Sequence, residues 1–203
     1  MDAAVISALS RGCGTLKVAT DPARQEQLLA YLELMIKWNR AYNLTAVRDP
    51  QNMVTRHLLD SLSIAPYVTG QRLIDVGTGG GLPGVPLSIL FPEREFHLLD
   101  SNGKKMRFLF QVKTALRLDN MTVHQARVES FNEGPFDAVL SRAFASLADM
   151  VNGCRHLLAP GGHFIAMKGA YPETELAAVA DRCQLQAVHP LEVPGLGLSL
   201  IHI

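Results

Sequence analysis

A dense glycine turn is the part of this sequence best suited to hold a ligand. A short apolar run that contains Asp75 leads into residues 77–84, which read Gly-Thr-Gly-Gly-Gly-Leu-Pro-Gly. Glycines without a Cβ adopt positive φ and let a ligand approach the backbone closely. Gly79, Gly81 and Gly84 also satisfy the GxGxxG spacing of dinucleotide-binding loops, which is a weak signal when taken alone. The turn therefore predicts a small-molecule site and leaves the ligand open.

Two carboxylates near this turn favour S-adenosylmethionine over a dinucleotide. Asp75 lies just before Gly77, where a carboxylate can face the amino group of a methionine moiety but offers nothing to a pyrophosphate. Asp100 ends the next predicted strand, where a carboxylate can accept hydrogen bonds from both hydroxyls of a ribose. The sequence also lacks an obvious second domain to hold a hydride donor or acceptor. We therefore predict S-adenosylmethionine as the ligand, held in part by Gly77, Gly79 and Asp100, with a dinucleotide-dependent oxidoreductase as the alternative.

Two later segments supply further candidate contacts. Residues 125–129 follow the third predicted strand, and there the backbone around Val128 and the side chain of Glu129 could flank an adenine ring. Glu129 fits a solvated charge at the start of a helix equally well. Arg142 follows the fourth strand, where it could hold an RNA phosphate, a guanine edge or the cofactor carboxylate, or form a surface ion pair. At the level of sequence these alternatives stay open.

The elements around these residues alternate between strands and helices from residue 72 onward. We predict strands at Arg72–Val76, Glu95–Leu99, Met121–His124, Phe136–Ser141, His163–Met167, Leu185–His189 and from Leu196 to the end, and helices at Lys104–Leu118 and Leu147–Leu158. Such alternation requires right-handed crossovers and a mostly parallel sheet covered on both faces. Ligands bind such sheets beyond the carboxyl ends of the strands. The predicted fold class is therefore α/β, with a doubly wound, mostly parallel, Rossmann-like sheet.

The first 70 residues have helical patterns and form an N-terminal extension. Asp21 followed by Pro22 is typical of a helix start, and this helix is predicted to run to about Ala41. A second helical stretch is predicted over Pro50–Ala65 and ends before Pro66. We predict two parts of the chain, a helical extension over residues 1–70 and an S-adenosylmethionine-binding domain over residues 71–203.

The charge balance excludes a protein that binds nucleic acid through overall charge. The chain has 19 basic and 19 acidic residues, so an RNA partner would have to meet a local basic patch. Five basic residues fall on one predicted helix: Lys104, Lys105, Arg107, Lys113 and Arg117. Lys104 and Lys105 follow Asp100 closely, so we predict that they contact RNA near the cofactor and leave the cofactor site itself alone. The alternative is an ordinary solvated helix face.

Other sequence features set the cellular context. The three cysteines include no CxxC pair, so neither a disulfide framework nor a zinc ribbon is indicated, and no metal site is expected. The chain shows no signal peptide and no apolar run of about 18 residues, which a membrane span requires. We therefore expect a cytoplasmic monomer without a membrane or metal partner.

Taken together, these segments resemble the RsmG (GidB) family of bacterial methyltransferases, which act on guanine N7 in ribosomal RNA. The segments that carry the resemblance are Lys37–Thr45, Arg56–Ser61, Asp75–Gly84, Leu98–Ser101, Lys104–Phe108 and Ser141–Ala145. Only the end departs, because relatives finish in a strand of the kind Arg-His-Leu-Val-Val followed by basic residues, whereas this chain reads Gly-Leu-Ser-Leu-Ile-His-Ile over residues 197–203.

The resemblance implies a class I methyltransferase fold, S-adenosylmethionine as cofactor, and small-subunit ribosomal RNA or the ribosomal subunit as substrate. The implied cofactor contacts are Gly77, Leu82, Val128, Glu129 and Arg142, with Asp100 as the ribose acceptor. Guanine N7 has a lone pair and no proton, so the reaction needs no general base and we predict no catalytic side chain. A non-catalytic RNA-binding or assembly protein with the same fold remains the second alternative.

Absent motifs narrow the reaction further. The sequence has no Asn-Pro-Pro-Tyr or Asp-Pro-Pro-Tyr element, which methyltransferases acting on exocyclic amines use to position the amino group. It also has no Pro-Cys pair to supply the thiolate for methylation at carbon 5 of a pyrimidine, since Cys154 stands between Gly153 and Arg155. These absences agree with the methyl transfer to a ring nitrogen that the family resemblance implies.

Overall fold

Seven strands and seven helices make up the described part of the chain, which in this computed structural model is every residue except 143, 145, 170, 195, 197, 198 and 203. The strands are β1 (Arg72–Val76), β2 (Glu95–Asp100), β3 (Met121–Gln125), β4 (Phe136–Ser141), β5 (Leu158–Lys168), β6 (Val188–Leu191) and β7 (Ser199–His202). The helices are α1 (Ala3–Thr15), α2 (Pro22–Tyr42), α3 (residues 50–62), α4 (Gly84–Leu90), α5 (Gly103–Leu116), α6 (Leu147–Cys154) and α7 (Glu173–Ala177). Single helical turns lie at Ala65–Tyr67, Val128–Ser130 and Arg155–Leu157.

The strands form one sheet in the order β3-β2-β1-β4-β5-β7-β6. Strands β1 to β5 pair in parallel, and β7 is antiparallel to both of its neighbours. The strand order reverses between β1 and β4, which is the point where open α/β sheets bind their ligands. This topology confirms the predicted doubly wound, mostly parallel, Rossmann-like fold.

The strand register brings the candidate residues to the same edge of the sheet. Val76 at the end of β1 pairs with Leu99, and Asp100 at the end of β2 pairs with Gln125 at the end of β3. The carboxyl ends of three neighbouring strands are therefore level. Loops that leave these ends face one another across a shared space.

Apolar residues cover both faces of the sheet, as the predicted architecture requires. Alternate residues of β1 enter different clusters: Leu73 packs with the helical extension and α5, whereas Ile74 packs with α6. Leu28 of α2 and Phe108 of α5 are fully buried in the first cluster. The extension therefore shares its core with the face of the sheet that carries α5.

The helices of the extension follow the predicted start signals. The carboxylate of Asp21 accepts a hydrogen bond from the Arg24 N–H at 2.8 Å, and α2 ends where Asn43 adopts a positive φ of 49°. Helix α3 begins after Asp49, which caps it in the same way, and widens to π-helical hydrogen bonding over Val54–Leu59. It stops at residue 62, short of the predicted Ala65. Helix α1 was not predicted individually.

The structure corrects several predicted boundaries in the second half of the chain. Helix α6 ends at Cys154, where the prediction continued it to Leu158, and β5 begins at Leu158 instead of His163. Leu158 pairs with Phe136 before an irregularity in the register, so the Pro160-Gly161-Gly162 stretch lies within the strand. Strand β6 lies three residues later than predicted at its start, and β7 covers Ser199–His202 despite the unusual end of the chain. None of the described helices has the length and apolarity of a membrane span.

Candidate active site

A cleft of about 220 Å³ lies beyond the carboxyl ends of β1, β2 and β3. Four of the predicted cofactor residues line it: Gly77, Asp100, Val128 and Glu129. The remaining lining residues are Val76, Leu99, Ser101, Ala126, Arg127 and Phe144. The cleft is therefore built from the four segments that follow β1 to β4, all of which the sequence analysis singled out, and its position is the one expected for a ligand site.

The glycine turn gives the cleft an open backbone wall. Gly77 and Gly79 have positive φ angles of 70° and 61°, a region that favours glycine. A Cβ on Gly79 would meet nothing closer than the Lys105 Nζ at 3.8 Å, so this glycine leaves free space beside the backbone. Gly81 differs, because a Cβ there would lie 2.5 Å from the Val85 side chain. One glycine keeps the turn accessible, and the other allows the turn to pack against α4.

Asp75 holds the turn together from below. Its side chain is fully buried, and Oδ2 accepts hydrogen bonds from the Thr78 hydroxyl at 2.7 Å and from the Gly84 N–H at 2.8 Å. Burial raises the pKa of this carboxyl to about 7, although both hydrogen bonds lower it. Asp75 therefore braces both ends of the turn through Oδ2, while Oδ1 has no hydrogen-bond partner among the described residues.

Asp100 lies at the mouth of the cleft and remains partly exposed. Its Oδ2 accepts a hydrogen bond from the Gly79 N–H at 3.0 Å, and its Oδ1 accepts one from the Asn102 N–H at 2.9 Å. Each carboxylate oxygen has a second lone pair, so both can accept a further hydrogen bond from a ligand. The predicted role as ribose acceptor fits this geometry and stays a prediction.

The two lysines that were expected to act together on RNA have different surroundings. Lys105 Nζ lies 3.6 Å from Asp100 Oδ2 and faces the glycine turn, so it lies on the Asp100 side of the cleft. Lys104 is exposed and forms no ion pair with any described residue. The contact with Asp100 argues against the expectation that a change at Lys105 would leave the cofactor site alone, and for Lys104 that expectation stays a prediction. The helix turns each successive side chain by about 100°, which separates neighbours in sequence.

The opposite wall of the cleft combines flat apolar surface with charge. Val128 and Glu129 lie on a single helical turn after β3, next to Ala126 and Arg127. Phe144, which follows β4, completes this wall and was missed as an individual residue, although it lies in a segment that carries the family resemblance. Ser101 was missed in the same way, and its position directly after Asp100 is the signal that could have identified it.

Gly79, Leu82 and Arg142 are the three predicted cofactor residues that do not line the cleft, although Gly79 lies in the turn beside it. Leu82 is buried in the core beneath the turn, where its N–H donates to the Thr78 carbonyl. Arg142 follows β4 and forms an ion pair with Asp60 at 3.2 Å. The same guanidinium nitrogen donates to the Arg56 carbonyl at 3.1 Å. Arg142 therefore connects the end of β4 to α3, and its contact with a cofactor stays a prediction.

A buried histidine lies on the π-helical part of α3, next to this connection. The His57 Nε2 and the Thr45 hydroxyl share a hydrogen bond of 2.9 Å, and no described residue hydrogen-bonds to Nδ1. Burial, together with the charges of Arg142 and Arg56, lowers the pKa of His57 to about 4. His57 is therefore neutral at physiological pH, beside two guanidinium groups.

Two other features lie outside the cleft. A larger cavity of about 660 Å³ lies between α6, β5 and α7 and shares no lining residue with the cleft. His97, His124 and Glu133 form a group of potential metal ligands. The His97 Nδ1 and His124 Nε2 face each other at 2.9 Å, and burial lowers the pKa of both imidazoles, that of His97 to about 4. This is the geometry of two neutral histidines that share one hydrogen bond.

Comparison with known proteins decides the family. The family model described as "GidB: rRNA small subunit methyltransferase G" matches residues 24–202. This chain belongs to the GidB family. It is 59% identical over 189 residues to the ribosomal RNA small subunit methyltransferase G of Pseudomonas aeruginosa strain LESB58, covering 92% of this chain and 88% of that protein. The protein of the same name from Cellvibrio japonicus strain Ueda107 is 56% identical over 191 residues, covering 91% and 87%.

Solved structures agree with this assignment at the level of the fold. A methyltransferase from Aquifex aeolicus that depends on S-adenosylmethionine superimposes with a TM-score of 0.61 at 14% identity, covering 79% of this GidB chain and 95% of that one. The Pyrococcus abyssi tRNA (uracil-54, C5)-methyltransferase, in complex with S-adenosyl-L-homocysteine, gives a TM-score of 0.54 at 18% identity, covering 75% and 37%. The family membership removes the alternative of a dinucleotide-dependent oxidoreductase, and the protein is an S-adenosylmethionine-dependent methyltransferase.

Proposed function

We propose that this protein transfers a methyl group from S-adenosylmethionine to N7 of a guanine in small-subunit ribosomal RNA. The observation that carries the proposal is the cleft at the level ends of β1, β2 and β3, in a chain whose family match extends over residues 24–202. Relatives that are more than half identical carry the name of a small-subunit ribosomal RNA methyltransferase.

The cleft residues suit the parts of the methyl donor. Asp100 offers acceptors to the ribose hydroxyls, Gly79 leaves backbone space for the donor, and Gly77 lines the cleft beside it. Val128 and Phe144 supply apolar surface for the adenine ring, with Glu129 at the same wall. In this assignment Leu82 supports the turn from the core, and Arg142 closes the substrate side next to α3.

The chemistry asks for positioning more than for proton transfer. When bound, the donor supplies an electrophilic methyl group on a sulfonium sulfur. Guanine N7 attacks with its own lone pair, so no side chain has to remove a proton. The residues of the chain then have to align the nucleophile with the methyl carbon and exclude water, an effect that can supply roughly 7 to 11 kcal/mol. This explains why no triad of nucleophile, base and orienting acid is needed here.

The substrate also sets where the protein acts. Ribosomal RNA is made and assembled into subunits in the bacterial cytoplasm, so we place the protein there. We also expect it to act as a monomer. A polyanionic substrate requires cations near the cleft, although the chain has no net charge. Lys104 and Arg107 are the exposed cations that follow Asp100 most closely in sequence.

The test is methyl transfer to small subunits isolated from a strain that lacks this protein. Labelled methyl groups from S-adenosylmethionine should enter the RNA, and borohydride reduction followed by aniline should cleave the chain at one guanine, because N7 methylation labilises that nucleotide. Subunits from the unmodified strain should accept no label, since their site is already methylated.

Two outcomes would contradict the proposal. Label on ribosomal protein, or on RNA that aniline does not cleave, would show a different acceptor. No incorporation into either subunits or naked RNA, with the donor bound normally, would favour the non-catalytic assembly protein. Donor binding measured by calorimetry on the same preparation separates that result from an inactive sample.

A further inference from the structure

One face of α5 combines exposed cations with an exposed aromatic ring. Helix α5 has no acidic residue over Gly103–Leu116, and Arg117 follows at its end. Arg107 and Arg117 are exposed, and Lys113 is half-buried. Arg107, Lys113 and Arg117 form no ion pair within the described parts of the chain, in contrast to Lys105. The outer face of α5, defined here as Arg107, Phe110, Lys113, Thr114 and Arg117, is therefore a strip of positive charge without local neutralisation.

Phe110 lies in the middle of this strip. Its exposed fraction is 66%, the highest among the large hydrophobic residues that the structure describes as exposed. Of the other large apolar residues of α5, Met106, Phe108, Leu109 and Val112 are buried and Leu116 is partly buried. Arg107 and Lys113 lie three residues before and after Phe110, which places them beside the ring on the helix surface. The ring therefore stands out from a cationic surface and contributes little to the core.

We propose that Phe110 is a stacking platform for an unpaired RNA base and that the cations around it hold the adjoining phosphates. The proposal rests on the proposed function, which supplies an RNA substrate. Unpaired bases stack on exposed aromatic rings while nearby Lys and Arg residues bind the phosphates of the RNA backbone. A membrane surface can also bind exposed cations beside an aromatic ring, and we favour RNA because the proposed function already brings RNA to the neighbouring cleft.

The position of the platform suits a nucleotide close to the target guanine. Helix α5 begins three residues after Asp100, at the mouth of the cleft. Phe110 lies seven residues into the helix, which corresponds to about 10 Å along its axis from Gly103. RNA that leaves the cleft along this side passes Lys104 and Arg107 before it meets the ring.

The first experiment compares affinity with its salt dependence. The probe is small-subunit ribosomal RNA purified from a strain that lacks this protein. Phe110→Ala should weaken binding roughly 5- to 100-fold while the slope of log affinity against log salt stays unchanged, because stacking releases no counterions. Arg107→Gln should reduce that slope by about 0.7 to 0.9. Ile6→Ala is the matched control, since Ile6 is also an exposed apolar residue, 44% exposed on α1, and should bind RNA like the unmodified protein.

Conservative variants and crosslinking make the test specific for stacking. Phe110→Tyr should keep wild-type affinity, whereas Phe110→Leu should lose nearly as much as Phe110→Ala, because leucine is apolar but cannot stack on a base. A ribosomal RNA transcript that contains 5-bromouridine should crosslink to the peptide that carries Phe110 on irradiation. Equal affinity for Phe110→Leu and the unmodified protein, or crosslinks only elsewhere, would overturn the proposal.

The failure of this proposal is distinguishable from failure of the proposed function. If methyl transfer occurs and Phe110→Ala has wild-type KM for the RNA, the protein is the expected enzyme and α5 contacts the RNA differently or not at all. If no methyl transfer occurs in any variant, the proposed function has failed. Calorimetric affinity for S-adenosylmethionine should be the same for Phe110→Ala and wild type, since Phe110 does not line the cleft.

Discussion

The ends of β1 and β2 each carry an aspartate, but the two carboxylates are in opposite environments. Asp75 is fully buried and uses Oδ2 to tie Thr78 and Gly84 together, so it fixes the shape of the glycine turn. Asp100 is partly exposed at the cleft, touches the turn only through the Gly79 N–H, and has Lys105 beside it. Two residues of the same type thus have different roles in the structure, since Asp75 braces the turn and Asp100 faces the cleft.

The largest effect is expected when the buried carboxylate is removed. Asp75→Ala should lower the free energy of unfolding by about 3 kcal/mol, because two buried donors lose their acceptor and each loss costs roughly 1 to 3 kcal/mol. Asp75→Asn keeps an acceptor oxygen of the same shape and should retain most of the stability near pH 7. Urea denaturation measures both variants. Wild-type stability for Asp75→Ala would mean that the turn does not depend on this brace.

Removal of the partly exposed Asp100 carboxylate should affect donor binding more than stability. Asp100→Ala should weaken S-adenosylmethionine binding by about 1.5 to 3 kcal/mol, the range for hydrogen bonds to a charged group, with a smaller effect on stability. Calorimetric titration and thermal unfolding on the same sample separate the two quantities. If Asp100→Ala bound the donor normally and lost only RNA binding, the assignment of Asp100 as a contact of the donor would be wrong.

The pH dependence of stability provides a third test. The pKa of Asp75 is raised from 3.8 to about 7. Its contribution to the free energy of unfolding is therefore fully present below pH 3.8 and is lost as the pH rises through about 7. The pKa values of His57 and His97 are lowered from 6.5 to about 4, so their contributions are present above pH 6.5 and are lost as the pH falls through about 4. In the ligand-free wild type these trends oppose each other.

Asp75→Asn should remove one of these trends and leave the other. Its unfolding free energy should therefore rise more steeply between pH 4 and pH 6.5 than that of the wild-type protein. Parallel denaturation curves at several pH values measure the difference in slope. Identical slopes for the two proteins would show that Asp75 is ionised throughout this range.

The smallest effect distinguishes the two neighbouring lysines. Lys105→Gln should lower donor affinity by about two- to fivefold, since a partly exposed ion pair contributes roughly 0.2 to 1 kcal/mol. Lys104→Gln should leave donor affinity unchanged and affect only RNA binding. Equal donor affinities for the two variants would place Lys105 outside the cofactor side of the cleft.

Local sequence signals predicted the elements that build the cleft with good accuracy. The strands Arg72–Val76 and Phe136–Ser141 have the predicted bounds, and β2 and β3 each extend one residue further. These strands are short apolar runs between clear turn residues, so the hydrophobic pattern and the turn residues indicate the same boundaries. The later boundaries failed because Pro160, Gly161 and Gly162 suggest a turn, whereas pairing with β4 holds that stretch in β5. Long-range pairing outweighed the local preference.

The sequence by itself determined the fold class, the glycine turn, the family and the choice of S-adenosylmethionine, because each depends on residue types at short spacing. Only the tertiary structure decided that Asp75 braces the turn while Asp100 faces the cleft, and that Lys105 turns towards Asp100 while Lys104 does not. It also decided that Arg142 meets Asp60, 82 residues away in the chain. Burial and pairing between distant segments set these roles, and neither can be read from the order of residues along one strand or helix.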